Sequence, residues 1–478
     1  MSVTTSRAAA ASRDLFGHPR GLAFLFATEM WERFSYYGMR ALLTLYMVKY
    51  LFLPGRADQV IGYEWLKSAH EFLVGPLGVQ PFASYIYGDY TALVYLTPIL
   101  GGLLADRVLG QRRTVIIGGL LMAMGHFLMA FEALFLIALA LLILGIGAFK
   151  PNISTQVGAL YPPNDHRRDR AYSIFYVGIN VGAFLAPLVC GALAARYGWH
   201  AGFGAAGVGM LLSLGIYLGG ARALPQDQMR QDEMRQAEKE ASGRGQDEPQ
   251  GDDAHGRRAA RAIIGVCAAV ALFWAAYDQQ GNTILLWAED FTNRAIDIGF
   301  WRGEIPSPWF LALNPLCIFV FTPAIVHLWA RLGERGREPS PIRKMAFGAA
   351  CLTLANLVMA TAAGSATGKA SPFWLVGYFV LATIGELHVA PVGLALISKE
   401  APLRSLSMLM GVWFAATLPA DVFGGFLGGF WSGMAKPHFF LMIALIAGCA
   451  SLALRVQASG ISNQISGSRG QESGSASS

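Results

Sequence analysis

Four charged residues lie inside one apolar stretch near the start of the chain, residues 21–48: Glu29, Glu32, Arg33 and Arg40. A charge at bilayer depth costs about 2.5–3.5 kcal/mol on insertion scales, so charges there are expected to pair or to serve a function. At about 100° per residue, the four charges and two neighbouring tyrosines share one helix face, where Glu29, Glu32 and Arg33 can partly neutralise one another. This pattern predicts a proton or ion relay that lines a pathway. A fixed ion network between membrane helices, or a charged face on a soluble helix, is the alternative.

Other polar residues lie in apolar stretches further along the chain. Lys150 occurs in GIGAFKPNIS and Glu386 in TIGELHVAPVG, each near a proline. An ammonium in one half of the chain and a carboxylate in the other predict an ion pair across a central cleft; independent helix-end residues are the alternative. Asp278 lies in a further stretch, and Asn180 and Asn314 lie near helix ends, where Asn often only bonds a neighbouring helix.

The composition places these residues in a polytopic membrane protein. Of 478 residues, 54% are hydrophobic and only 14% are charged, whereas soluble domains carry about 25% charged residues. The net charge of +6 is typical of basic cytoplasmic loops and does not indicate nucleic acid. The sequence shows no nucleophile–base set, no metal-ligand spacing and no phosphate-binding Gly loop. We therefore expect neither an enzyme nor a cofactor.

Twelve apolar stretches approach or exceed the roughly 20 residues that cross a bilayer as a helix. They are 21–48, 86–105, 114–132, 134–158, 171–195, 201–220, 262–288, 309–330, 343–363, 372–397, 406–430 and 437–455. A hydrophilic stretch divides them into two groups of six, which predicts an all-α protein with two six-helix bundles.

This division predicts five segments. They are an N-terminal tail (1–20), a first bundle (21–221), a linker (222–261), a second bundle (262–456) and a disordered C-terminal tail (457–478). Most Lys and Arg outside the spans fall in the tails, the linker and the loops on the same side. Since cytoplasmic loops carry an excess of basic residues, both termini are predicted to be cytoplasmic. The long outer loop, 49–85, could hold a short helix on the membrane surface.

Several motifs together resemble one family, the proton-dependent oligopeptide transporters of the major facilitator superfamily. The short loop GGLLADRVLGQRR resembles the loop signature of the superfamily. The motifs that resemble the family are EMWERFSYYG (29–38), VYLTPILGGLLADR (94–107), FKPNIS (149–154), SIFYVGINVGAFLAPL (173–188) and GELHVAPVGLALISKEAP (385–402). The resemblance implies two bundles that rock around a central site, and proton-coupled import of di- and tripeptides.

The resemblance also implies roles for single residues. Glu29, Glu32 and Arg33 would form the proton-coupling cluster, in which protonation of a glutamate releases the arginine. Asp278 stands where the family has a titrating Glu that pairs with Arg40. Because Asp is one methylene shorter than Glu, the sequence leaves open whether Asp278 reaches Arg40 and how strongly it binds a proton.

The two ends of a peptide would be held by opposite charges. Lys150 and Arg40 would receive the peptide carboxylate. Glu386, with Asn180 and Asn314, would hold the amino terminus.

The pocket walls and the gate follow from the same resemblance. Tyr37, Tyr95 and Trp274 would line the pocket, and Trp413 matches a bulky wall residue of the eleventh helix. The residues of the gate would be Lys150, Glu386, Arg40 and Asp278. Ala390 stands where the family often has Ser, and the linker is too polar for two extra spans.

Three functions remain open from the sequence. The first is a proton-coupled peptide symporter of the cell membrane, with peptides, protons and lipid as its partners, no nucleic acid and no obligatory protein partner. The second keeps the fold but carries an amino acid, a modified peptide or another small anion. The third is a membrane sensor without a transport cycle.

Overall fold

The computed structural model describes residues 14–162, 165–225, 253–297, 302–400, 413 and 416–475. Most of these residues are helical, and the only strands in the described ranges form two short antiparallel hairpins. The predicted helical fold class is confirmed. The chain divides into two compact units: unit 1 comprises 1–77 and 93–250, and unit 2 comprises 78–92 and 251–478.

Unit 1 begins with a hairpin of strands β1 (Asp14–Leu15) and β2 (His18–Pro19). Its helices are α1 (Arg20–Tyr46), α2 (Tyr63–Val74), the second part of α3 (Val79–Leu104), α4 (Gln111–Leu128), α5 (Phe135–Ala159), α6 (Arg167–Tyr197) and α7 (Trp199–Gly219). Helix α1 packs mainly against α6 and α7, and α4 packs against α5. A Cβ at Gly182 would collide with the Met30 carbonyl oxygen, so this glycine lets α6 approach α1 next to Arg33.

Unit 2 contains the first part of α3 and the remaining elements. These are α8 (Asp253–Tyr277), α9 (Thr283–Asp290), strands β3 (Ala295–Asp297) and β4 (Arg302–Glu304), α10 (Leu313–Glu334), α11 (Pro341–Ser365), α12 (Phe373–Glu400), α13 (Thr417–Gly429) and α14 (Lys436–Ser475). A 3₁₀ turn, Asp278–Gly281, separates α8 from α9. The predicted seventh span is therefore broken at Asp278.

Eight helices of the described ranges are long and apolar enough to cross a membrane. They are Val79–Leu109, Glu132–Ala159, Arg167–Tyr197, Trp199–Gly219, Ser307–Glu334, Pro341–Ser365, Phe373–Gly393 and Lys436–Ser459. Helix α1 is long enough but is not among them, since its charged residues lower its hydropathy. Part of the predicted eleventh span, 406–412 and 414–415, lies outside the described residues.

The second span begins earlier than the sequence predicts. Helix α3 starts at Val79 rather than 86, because Pro81 occupies the first turn, where a helix has no use for the backbone N–H that proline lacks. Two polar residues of 79–85 are bonded inside unit 2. Gln80 donates to the Gly428 carbonyl at 3.0 Å, and Ser84 donates to Asn282 at 2.9 Å. The outer loop does hold a short helix, α2.

Segment ends also differ from expectation. The disordered tail predicted for 457–478 is wrong as far as Ser475, because α14 continues to that residue. After Pro437 this segment has no proline to interrupt the helical hydrogen bonds. Helix α8 begins at Asp253, inside the predicted linker, and 226–252 lie outside the described residues. The hairpin β1–β2 similarly replaces part of the predicted N-terminal tail.

Candidate functional site

The predicted site residues divide between the two units. Those of unit 1 are Glu29, Glu32, Arg33, Tyr37, Arg40, Tyr95, Lys150 and Asn180; those of unit 2 are Trp274, Asp278, Asn314, Glu386 and Trp413. The predicted gate pairs join residues of different units, so both pairs stay predictions.

An ion cluster of unit 1 contains the three predicted proton-coupling residues of α1. Their exposed fractions are 1% for Glu29, 0% for Glu32 and 3% for Arg33. Arg33 binds Glu32 in bidentate fashion, with Nη2 donating to Oε1 at 2.6 Å and Nε donating to Oε2. Arg33 Nε also lies 3.2 Å from Glu29 Oε1. One guanidinium is therefore shared by two buried carboxylates.

The two glutamates of this cluster are not equivalent. Both oxygens of Glu32 accept hydrogen bonds from Arg33. Glu29 Oε2 is buried and accepts no hydrogen bond from any residue of the described ranges. A buried acceptor without a donor is costly, and protonation converts a carboxylate oxygen into a neutral hydroxyl. Glu29 is therefore the better placed of the two to take up a proton.

The next turns of α1 carry the aromatic and basic residues predicted to meet substrate. The Tyr36 ring lies beneath the Arg33 guanidinium at 5.1 Å and meets the Tyr37 ring edge to face at 5.0 Å. Tyr37 and Arg40 are half-buried. Arg40 follows Glu29 by eleven residues, which is about 16 Å along a helix. The two groups therefore form separate stations on one helix.

Lys150 lies in the middle of α5, beside the second part of α3. Its ammonium is 4.8 Å from the centre of the Tyr95 ring, a cation–π contact within unit 1. Helix α5 continues through Pro151, and the Asn152 amide donates to the Ala148 carbonyl at 2.8 Å. Proline lacks the N–H that would donate to the Gly147 carbonyl, and the Asn152 side chain bonds the next carbonyl along the helix instead.

Asn180 is buried and donates to a carbonyl of its own helix, that of Tyr176, at 3.0 Å. This contact lies within α6, whereas the alternative left open by the sequence was a bond to a neighbouring helix. The predicted joint role of Asn180 with Glu386 and Asn314 joins two units and stays a prediction.

The Glu386 site of unit 2 consists of Glu386 and the neutral side chains around it. The Tyr277 hydroxyl donates to Glu386 Oε2 at 2.5 Å. Asn314 Nδ2 lies 2.8 Å from the same oxygen, 2.8 Å from the Tyr277 hydroxyl and 3.0 Å from Thr383 Oγ1. Helices α8, α10 and α12 thus converge on one carboxylate. The predicted grouping of Asn314 with Glu386 is present in the structure.

Two residues of the Glu386 site were not predicted from the sequence. Tyr277 directly precedes Asp278, and Thr383 precedes Glu386 by three residues, which places it on the same side of α12. That spacing is a signal for Thr383. The signal for Tyr277 is weaker, because a tyrosine in an aromatic stretch is typical of ordinary core packing.

The other predicted residues of unit 2 are Trp274, Asp278 and Trp413. Trp274 meets the Tyr277 ring edge to face at 5.2 Å. Asp278 opens the 3₁₀ turn that breaks the seventh span and is half-buried. Trp413 is buried, and its indole packs directly on Gly393. Its predicted role as a wall residue therefore depends on a glycine, since any side chain at position 393 would collide with the ring.

Comparison with known proteins gives one consistent result. The family model described as PTR2, POT family, matches residues 112–242 and 247–438. The peptide transporter YePEPT of Yersinia enterocolitica is 34% identical, over 89% of this chain and 90% of that protein. A di-/tripeptide transporter of Lactococcus lactis subsp. cremoris is 33% identical, over 91% of this chain and 94% of that protein.

Solved structures similar to this chain are also peptide transporters of the POT family. A crystal structure of a mutant of the peptide transporter POT in complex with alafosfalin has a TM-score of 0.78 and 32% sequence identity to this chain. The alignment covers 96% of this chain and 99% of the crystallised one.

Proposed function

The chain belongs to the POT family, and on that basis we propose that it imports di- and tripeptides together with protons. It is a multi-pass membrane transporter rather than an enzyme. Its peptide-transporting relatives match nearly the full length of the chain. We place it in the cell membrane with both termini in the cytoplasm, because the loops on that side carry most of the basic residues.

The observation that carries the proposal for the peptide amino terminus is the environment of Glu386. Its carboxylate is held only by neutral donors, Tyr277 and Asn314, among the described residues. These donors fix its position without cancelling its charge. A fixed negative charge in a low-dielectric environment attracts an ammonium strongly. In unit 1, Lys150 and Arg40 supply positive charge for the peptide carboxylate.

The ion cluster of α1 supports proton coupling. Two carboxylates and one guanidinium carry a net charge of −1 when all are ionised, and a single proton neutralises the set. Burial makes that neutral form cheaper. A proton on Glu29 removes the negative charge that faces Arg33 Nε. It therefore weakens the ion pair between Glu29 and Arg33.

Coupling then follows from one equilibrium. If the proton and the peptide each favour the same conformation, binding of one strengthens binding of the other by the same factor. Alternation of that conformation moves both ligands in the same direction. No metal or organic cofactor is required, because the proton gradient supplies the free energy.

The proposal is tested by reconstituting the purified protein in liposomes. We expect an inward proton gradient to drive uptake of a labelled dipeptide above equilibrium, and a protonophore to abolish the accumulation. Uptake that is independent of the gradient would contradict proton coupling.

A second cargo is favoured by two departures from the family pattern. Asp278 replaces a longer Glu, and Ala390 removes a hydroxyl one turn from Glu386. Both changes lie near the proposed ligand sites and could favour an amino acid or a modified peptide. Competition of labelled dipeptide uptake by free amino acids, dipeptides, tripeptides and tetrapeptides separates the two cargoes. We expect di- and tripeptides to compete far better than free amino acids and tetrapeptides.

A further inference from the structure

A cavity of about 560 Å³ lies at one end of unit 2, where α10 ends and α11 begins. Its lining includes Trp329, Arg337, Glu338, Arg343, Lys344 and Phe347. Three of these side chains are cationic and one is anionic. The cavity belongs to none of the sites described above, and neither peptide binding nor proton coupling uses it.

A defined turn holds the cationic side of the cavity in place. Helix α10 ends at Glu334, and Gly336 adopts a left-handed conformation with φ of +62°. The N–H of Gly336 donates to the Gly333 carbonyl at 3.0 Å, and that of Arg337 donates to the Leu332 carbonyl at 2.9 Å. This pair of bonds is a Schellman motif, which fixes the backbone of Arg337 at the cavity.

The charges on the cavity wall are only partly compensated. Lys344 pairs with Glu338, and its side chain is only 11% exposed. Its ammonium also lies 4.6 Å from the centre of the Trp329 ring. Arg337 and Arg343 are exposed, and neither has an acidic partner within the described ranges. The cavity therefore offers two uncompensated guanidinium groups to an anion.

The other side of the cavity is aromatic and lies further along the two helices, away from the loop that joins them. Trp329 lies five residues before the end of α10, and Phe347 lies six residues after the start of α11. These positions are about 8–9 Å from the helix ends. Both rings pack edge to face on His388, at 5.4 Å and 5.1 Å. The Phe347 side chain is nevertheless 50% exposed.

The position of the cavity indicates which kind of anion would bind there. Both helices that form it are long and apolar enough to cross a membrane, so the loop between them lies at the level of the lipid headgroups. A cationic rim at that level with an aromatic floor towards the core matches a phospholipid, whose phosphate and first acyl carbons have the same order. Basic pockets between membrane helices on the cytoplasmic side are known to bind anionic lipid headgroups.

We propose that this cavity binds the headgroup of an anionic phospholipid, with the phosphate at Arg337 and Arg343 and the glycerol end against Trp329 and Phe347. The lipid comes from the leaflet that faces the same side as the loop. The site is independent of the proposed transport function, because it uses none of the residues assigned to peptide or proton.

Native mass spectrometry of the full chain tests the site with two lipid probes, phosphatidylglycerol and phosphatidylcholine. The test variant is Arg337→Gln with Arg343→Gln. The matched control is Arg331→Gln with Arg335→Gln, which removes the same charge from the same region outside the cavity. We expect the test variant to bind phosphatidylglycerol about 30-fold more weakly, since each basic residue near an anionic lipid contributes about fivefold.

Three further results decide the proposal. The charge-preserving variant Arg337→Lys with Arg343→Lys is expected to keep most of the preference for phosphatidylglycerol, and dipeptide uptake reports whether each variant folds. Equal loss in the test and control variants would overturn the site, because it would show a general charge effect. Displacement of the lipid by millimolar inorganic phosphate would also overturn it, in favour of a soluble phosphate ligand.

Discussion

The ion cluster of unit 1 and the Glu386 site of unit 2 hold buried carboxylates in opposite ways. In unit 1, Glu32 and Glu29 share the positive charge of Arg33. In unit 2, Glu386 is held by the neutral donors Tyr277 and Asn314. A carboxylate that already has a fixed cation gains little from a cationic ligand and responds mainly to a proton. A carboxylate held by neutral groups keeps its charge for a ligand.

The largest expected effect comes from removing the charge of the Glu386 site. We expect Glu386→Gln to weaken binding of a dipeptide with a free amino terminus by about 30-fold or more, because loss of one partner of a buried charge pair costs about 2–5 kcal/mol. The affinity is read from competition in counterflow exchange. An N-acetylated dipeptide provides the control, since it lacks the ammonium and should be affected much less. Equal effects on both peptides would remove the proposed role of Glu386.

The second prediction separates the two glutamates of the ion cluster. We expect Glu29→Gln to abolish accumulation of dipeptide above equilibrium while exchange continues, because the amide mimics the protonated acid permanently. Glu32→Gln should also stop accumulation but should in addition impair exchange, since it removes the bidentate partner of Arg33. Concentrative uptake and counterflow, measured in the same liposomes, distinguish these outcomes. Normal accumulation by Glu29→Gln would show that its proton is not required.

A smaller effect is expected from the donors of the Glu386 site. Tyr277→Phe removes a hydrogen bond to a charged group, worth at least about 1.5 kcal/mol, so we expect dipeptide affinity to fall by about tenfold or more. Tyr378→Phe is the matched control, because the Tyr378 hydroxyl is buried and forms no hydrogen bond with any residue of the described ranges. Competition assays compare the two variants. If both lower the affinity equally, the Tyr277 bond has no specific role.

The smallest effect is expected at an ion pair outside the spans. Hydrogen bonds from the Arg167 side chain and backbone lower the pKa of Asp165 from 3.8 to about 2. An acid whose folded pKa is depressed stabilises the protein above its unfolded pKa and loses this contribution only as pH falls towards the folded value. Asp165→Asn should therefore shift the melting temperature equally at pH 5 and pH 8. A shift that changes between these pH values would place the titration of Asp165 in that range.

The ion cluster could be predicted from the sequence because its geometry is local. Glu29 and Arg33 are one helical turn apart, so the helix alone brings them together. Motifs along the chain indicated the family, and the family model and the nearly full-length relatives confirm it. The resemblance also predicted that Asn314 acts with Glu386, although the two residues are 72 positions apart.

Contacts that depend on tertiary packing could not be predicted from the sequence. Tyr277 reaches Glu386 only because α8 ends beside α12. In the sequence, Tyr277 lies in an aromatic stretch that is typical of core packing. The early start of α3 was not predicted, and the partners of its polar residues Gln80 and Ser84 lie about 200 residues or more away. Composition also misled at the C-terminus, where a Ser- and Gly-rich segment continues the helix of α14.

One measurement tests most directly whether the ion cluster couples protons while the Glu386 site binds peptide. Liposomes containing the protein and a pH-sensitive dye receive an inward dipeptide gradient with no initial pH difference. We expect the lumen to acidify with the wild-type protein. With Glu29→Gln, labelled dipeptide should still exchange across the membrane, but the lumenal pH should stay constant. An unchanged lumenal pH with the wild-type protein, while dipeptide enters, would contradict proton-coupled peptide import.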